Sequence, residues 1–165
     1  MKTLVSKAAL AAAAAIVWIA TPAHALDLVG LDGRKVTVTA QQYAELPRVA
    51  VTVSQHGKMH KFEGPRLSDL LKLVHAPAGE ALRGRDLTDV ALVTAKDGYQ
   101  IVLTLAETDP AMRKEIVLVA DKMDGAPLPA TDGPYRLIVQ NDLRPARAAR
   151  MIQRIELRRL AAAKP

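Results

Sequence analysis

Cysteine is absent from all 165 residues, which removes a large class of chemistry at once. Without a thiol there is no thiolate nucleophile, no thiolate metal ligand, no haem attachment, no iron–sulfur cluster and no cysteine-borne lipid anchor. No disulfide can staple the fold, so its stability must come from an ordinary apolar core. Aromatic residues make up only 3% of the chain although 50% of it is hydrophobic. A planar ligand would therefore find few rings on which to stack. After residue 25 no apolar run approaches the roughly 18 residues of a membrane span. A Gly-rich phosphate loop and an internal repeat are both missing as well.

The first 25 residues have the form of an export signal. Lys2 and Lys7 precede an apolar run from Ala8 to Ala20, Pro22 breaks it, and Ala23-His24-Ala25 supplies the small-x-small pattern that signal peptidases cut. The expectation is a signal peptide over 1–25 and a single mature domain over 26–165, free in the periplasm. Removing Lys2 and Lys7 from the 23 basic residues leaves 21 against 17 acidic ones, about +4. Nothing in the composition asks for a nucleic-acid partner.

Along the mature chain, turn residues separate short periodic segments. Val36 to Thr39 reads as a strand, and Thr39 to Pro47 as a helix capped by Thr39. Val49 to Ser54 and Met59 to Phe62 form a hairpin around Gly57. Leu67, Leu70, Leu71 and Val74 fall at i, i+3, i+4, i+7, the spacing of an amphipathic helix behind Pro65. Asp89 to Ala95 and Tyr99 to Leu105 flank Lys96-Asp97-Gly98, a good hairpin signal. A short acidic helix at 105–109, strands at 116–120 and 137–139, and a turn leading to a last strand complete the reading. The fold class is α+β, strand-rich and mixed.

Charged and polar constellations give few sharp signals. Arg144, Arg147, Arg150, Arg154, Arg158 and Arg159 crowd the tail. Their guanidinium forks suit carboxylate, phosphate or a flat ring, and a solvated charged face competes with that reading. His56 and His60 stand four apart on the hairpin, where chelation of one metal is poorly served. His75 ends the amphipathic helix as a partner for its dipole. Ser54 and Ser68 lack a nucleophile elbow, and Asp97, Asp124 and Asp132 each abut a glycine as turn residues do.

Five motifs in order carry a resemblance. They are Glu63-Gly64-Pro65 before Leu67-Ser68-Asp69-Leu70-Leu71; Ala95-Lys96-Asp97-Gly98-Tyr99; Val117 to Ala120 followed by Asp124-Gly125-Ala126-Pro127-Leu128; Gly133-Pro134-Tyr135-Arg136-Leu137-Ile138-Val139; and Asp142-Leu143-Arg144-Pro145-Ala146-Arg147 leading through Arg150-Met151 to Arg154-Ile155-Glu156-Leu157. Together, over about 36–157, they resemble the sulfite-oxidase-like, molybdopterin-binding domain. The resemblance implies that fold as a single domain. It also implies ligand contacts at Asp97, Tyr99, Tyr135, Arg136, Arg147 and Arg150.

Enzymes of that family hold molybdenum through a cysteine thiolate, which this chain lacks, and the mature length is short of their catalytic core. The chain looks like short periplasmic relatives that bind a pterin without catalysis. Some of these report its occupancy to an inner-membrane protein that makes or degrades cyclic diguanylate. Such relatives often carry a Trp after the Gly-Pro pair and another in the arginine stretch, whereas here no aromatic follows Tyr135. An Arg plane can stack in place of a ring. The implied function is pterin binding for signalling, with no catalytic cofactor and no metal. The alternatives are a molybdopterin-binding oxidoreductase-like or cofactor-handling accessory, and an Arg-rich protein binding anionic surfaces.

Overall fold

The computed structural model describes residues 25–55 and 57–161. Residues 1–24 of the expected leader, and His56, lie outside the described residues. Strands β1 (Leu26–Val29) and β2 (Lys35–Val38) form an antiparallel pair. Helix α1 (Ala40–Ala44) follows; Thr39 caps it through a capping box with Gln42, which satisfies end N–H groups of a helix too short to persist by itself. Strands β3 (Arg48–Gln55) and β4 (Lys58–Pro65) make the hairpin, and α2 (Leu67–Lys72) starts directly behind Pro65. The helix stops earlier than its apolar spacing suggests. His75 takes the left-handed conformation (φ 58°) and its N–H bonds to the Lys72 carbonyl at 3.1 Å, so its backbone closes the α2 end.

Two short 3₁₀ turns lead to β5 (Asp89–Ala95), β6 (Gln100–Thr104) and α3 (Leu105–Thr108). Then come β7 (Val117–Ala120), a small hairpin β8 (Lys122–Met123) and β9 (Ala126–Pro127), and β10 (Arg136–Val139). A 3₁₀ turn at Pro145–Arg147 precedes the last strand, β11 (Ile152–Arg159). The tail thus forms a turn and a strand, as its alternation indicates. No helix among the described residues is long and apolar enough to cross a membrane.

The strands form a five-stranded sheet in the order β2-β1-β11-β5-β6, a four-stranded sheet β3-β4-β8-β9, and the pair β10-β7. The pair explains its own sequence. Val117, Val119, Leu137 and Val139 face the large core beneath the five-stranded sheet, while Leu118, Ala120 and Ile138 face a second core against Val51 and Phe62. A strand buried on both faces must be apolar at every position, and this is why 117–120 and 137–139 read as unbroken hydrophobic runs. Leu67, Leu70 and Leu71 of α2 and Leu105 of α3 close the large core.

Contacts between layers are close. A Cβ on Gly64 would lie 2.0 Å from the Val119 carbonyl oxygen, so β4 and β7 approach to a distance only glycine allows. The buried Tyr43 hydroxyl donates to that same oxygen. Its ring meets the Tyr135 ring at a centroid distance of 4.5 Å.

Candidate functional site

Two clefts open where β1 and β11 begin and β5 ends. The larger, ≈ 580 Å³, is lined by Lys96, Leu128, Gly133, Pro134, Met151 and Gln153 among others. Its neighbour, ≈ 230 Å³, is lined by Asp97, Tyr99, Pro145, Ala146, Arg150 and Met151. Met151 belongs to both walls. It sits in the left-handed region (φ 50°), and two bonds pin its backbone: its N–H to the Asp132 carbonyl and the Lys96 N–H to its carbonyl, each 2.9 Å.

Of the six residues that the resemblance points to, Asp97, Tyr99 and Arg150 come together on the smaller cleft. One Asp97 oxygen accepts the Tyr99 backbone N–H at 2.9 Å, which shapes the turn and leaves the second carboxylate oxygen to accept from a ligand. Tyr99 is 47% exposed, and its hydroxyl donates to the Ala146 carbonyl at 2.7 Å, fixing the ring at the rim. The Arg150 side chain is 59% exposed and lies 3.6 Å from Asp132.

The other three are engaged by the fold itself. Tyr135 is buried in the large core against Tyr43, and burial followed by the charge of Asp121 pushes its phenol up to about 12. Its ring is therefore used in packing. The Arg136 side chain is only 9% exposed; it pairs with Asp132 and lies over the Phe62 ring, 5.4 Å from its centroid. Burial pulls its pKa down while the Asp132 charge opposes the fall, and its Nε is buried without a hydrogen-bond partner. Arg147 donates from Nε and Nη2 to Asp142 at 3.0 and 2.6 Å, and from Nη1 to Glu107 at 2.9 Å. Its guanidinium holds the 142–147 loop, a wall of the cleft, onto α3.

Inspection of the arginine-rich tail misses those acidic partners that lie far away in sequence. Glu107 is the clearest case. As N3 of α3 it receives the Thr104 N–H at 2.9 Å, and its other oxygen receives Arg147. Burial raises its pKa, but the bonds from Thr104 and Arg147 outweigh it and hold the carboxyl below its ordinary value. A carboxylate lowered by folding contributes stability above its unfolded pKa and loses that contribution as pH falls through the folded one. Urea midpoints should therefore fall between roughly pH 5 and 3, bracketing the unfolded Glu value, and Glu107→Gln should flatten that fall.

Elsewhere the tail is also paired. Arg154 and Arg158 flank Glu156 at 2.8 and 3.0 Å, and Arg159 binds the fully buried Asp89 as well as Asp86. The pairing is uneven: Arg147 and Arg159 each hold two carboxylates, whereas Arg154 and Arg158 share Glu156 alone. His60 Nδ1 is 2.7 Å from Asp124 Oδ2, and the Lys61 N–H reaches the other oxygen at 2.8 Å; the three hold the β8–β9 turn to β4. Among the described residues no group of three His, Cys, Asp or Glu side chains is placed to hold a metal ion.

Comparison with known proteins agrees with the fold. The structure is similar to that of the sulfane dehydrogenase SoxCD from Paracoccus pantotrophus, with a TM-score of 0.59 at 16% identity over 81% of this chain. It spans only 38% of that protein's length. Comparison with curated proteins finds no match. A family model, the oxidoreductase molybdopterin binding domain, matches residues 55–164 and leaves the earlier β1–α1 segment outside its range. The match covers well over half of the chain and the topology is that of the family's fold, so the chain belongs to the oxidoreductase molybdopterin-binding domain family.

Proposed function

We propose that this protein is a non-catalytic, periplasmic pterin-binding protein that reports its occupancy to an inner-membrane partner making or degrading cyclic diguanylate. The observation that supports this most is a cleft lined by a carboxylate, a fixed phenol and a half-exposed guanidinium in a molybdopterin-binding domain built without cysteine. A pterin is flat, and its amide–amidine edge needs one acceptor and matched donors. Asp97 supplies the acceptor, Arg150 the donors, and Tyr99 or the Arg150 plane a stacking surface. The donor set fits the organic ring. It does not fit molybdenum held by a thiolate.

Titration of the mature protein with a fluorescent pterin tests the binding half. Arg150→Ala should weaken affinity by about tenfold or more, since a lost charge-assisted hydrogen bond is worth on the order of 1.5–3 kcal/mol. Asp97→Asn should weaken binding while keeping the turn, because an amide oxygen still accepts the Tyr99 N–H. Arg159→Ala lies far from the cleft and should leave pterin affinity unchanged. Equal losses at Arg150 and Arg159 would point to diffuse attraction instead of a site.

The signalling half requires a partner with different affinities for loaded and empty protein, since equal affinity would transmit nothing. Pull-down of the cognate membrane protein with and without pterin measures that difference. The second reading is an oxidoreductase-like or cofactor-handling protein for molybdopterin itself. Lys96 and Arg150 on either side of Met151 favour it, because both could meet a phosphate. Competition between phosphorylated and unphosphorylated pterins separates the two.

A further inference from the structure

We propose that β3 is a dimerisation edge, pairing antiparallel with β3 of a second copy across a two-fold axis. The strand order leaves β3 at the outside of its sheet, with β4 its one strand neighbour. Its eight residues run in unbroken register from Arg48 opposite Pro65 to Gln55 opposite Lys58. Among the described residues no further backbone hydrogen bond is made from 48–55 to any loop or helix. A row of outward N–H and C=O groups therefore stands ready to pair with another strand, with the 142–148 segment bordering 53–55 across a narrow cleft at one end.

Natural edges are usually blunted by lysine, proline, a bulge or a covering element. Here β3 carries Val49, Val51, Thr52 and Val53, has no proline and no bulge, and holds its one charge, Arg48, at its end beside Asp121. The outward faces of Ala50, Thr52 and Ser54 are small and exposed, so two such edges can approach flat.

An axis through Thr52 sets Thr52 opposite its counterpart, Ala50 opposite Ser54 and Val51 opposite Val53. Those pairs keep each residue on its own face of the joined sheet, as antiparallel pairing requires. Between residues 49 and 55 no charged side chains meet. On the core side Val49 and Val53, half-buried in the single chain, continue the apolar row of the neighbouring copy. The arrangement is isologous and closes at two subunits.

Sedimentation velocity across the micromolar range tests this with the mature chain. Wild type should sediment as a dimer, Thr52→Lys and Thr52→Glu each as a monomer, and an equal mixture of the two variants as a dimer again. Thr52 stands opposite Lys61 in its own hairpin, so Thr52→Lys should show a small drop in Tm with an unchanged circular dichroism spectrum. A wild type that stays monomeric throughout, or a dimer that survives both variants, overturns the proposal. If Thr52→Lys fails to fold, Thr52→Glu and Ser54→Lys, which faces Met59, must still give monomers for it to stand.

Discussion

Gly64→Ala should leave little folded protein. The added methyl carbon would sit 2.0 Å from the Val119 carbonyl oxygen and 2.8 Å from its carbon, and the obstacle is backbone. A flexible side chain could swing aside, but a strand paired with β10 and buried on both faces cannot. Ordinary overpacking costs about 1–3 kcal/mol; displacing β7 from β4 should cost at least the upper end of that range. Moving β7 also pulls the shared carbonyl from the Tyr43 hydroxyl, and a buried polar group left unpaired adds about 1–3 kcal/mol. Against a total stability of about 5–15 kcal/mol for a domain of this size, the sum approaches unfolding. Equilibrium denaturation in urea measures it. Gly125→Ala is the control: nothing crowds that position, its φ is 82°, and only left-handed strain of about 1–2 kcal/mol is expected.

The second large effect belongs to Arg136. With its side chain 9% exposed and Asp132 13% exposed, the pair is nearly sealed. Removing Arg136 leaves the nearly buried Asp132 carboxylate with only the more exposed Arg150 at 3.6 Å; breaking a buried pair costs about 3–5 kcal/mol, and Arg150 brings the loss toward the lower end of that range. Arg136→Met should therefore destabilise strongly, although Met replaces much of the apolar stem over Phe62. The double variant Arg136→Met with Asp132→Asn should recover a good part of the loss, because it leaves no stranded carboxylate. A double-mutant cycle on unfolding free energies checks this. If Arg136→Met instead keeps its stability and loses pterin affinity alone, the residue belongs to the binding surface and its pairing with Asp132 is incidental.

Local signals in the sequence locate most elements because the forces that make them are local. Thr39 caps α1 as expected, Asp97-Gly98 turns β5 into β6, and alternation from Met151 onward becomes β11. The β8–β9 hairpin escapes such a reading, since two-residue strands carry no periodicity.

The site is legible only in part, and for a different reason. Asp97, Tyr99 and Arg150 lie on turns and loop ends that a motif can mark, and they do converge on one cleft. Tyr135, Arg136 and Arg147 sit in the same motifs, yet their surroundings are set by Tyr43, Phe62 and Glu107, each at least 40 residues away in the chain. Asp142 and Asp132 are local carboxylates that the motifs themselves contain or adjoin, but the distant partners complete each setting and no spacing within a motif shows them.

The most direct test is to purify the protein from its native host, identify released small molecules by mass spectrometry and measure molybdenum on the same sample. A stoichiometric pterin and no stoichiometric molybdenum are expected, because no thiolate is present to hold the metal. A full equivalent of molybdenum with measurable turnover, or protein that releases no pterin and binds none when titrated, would contradict that expectation.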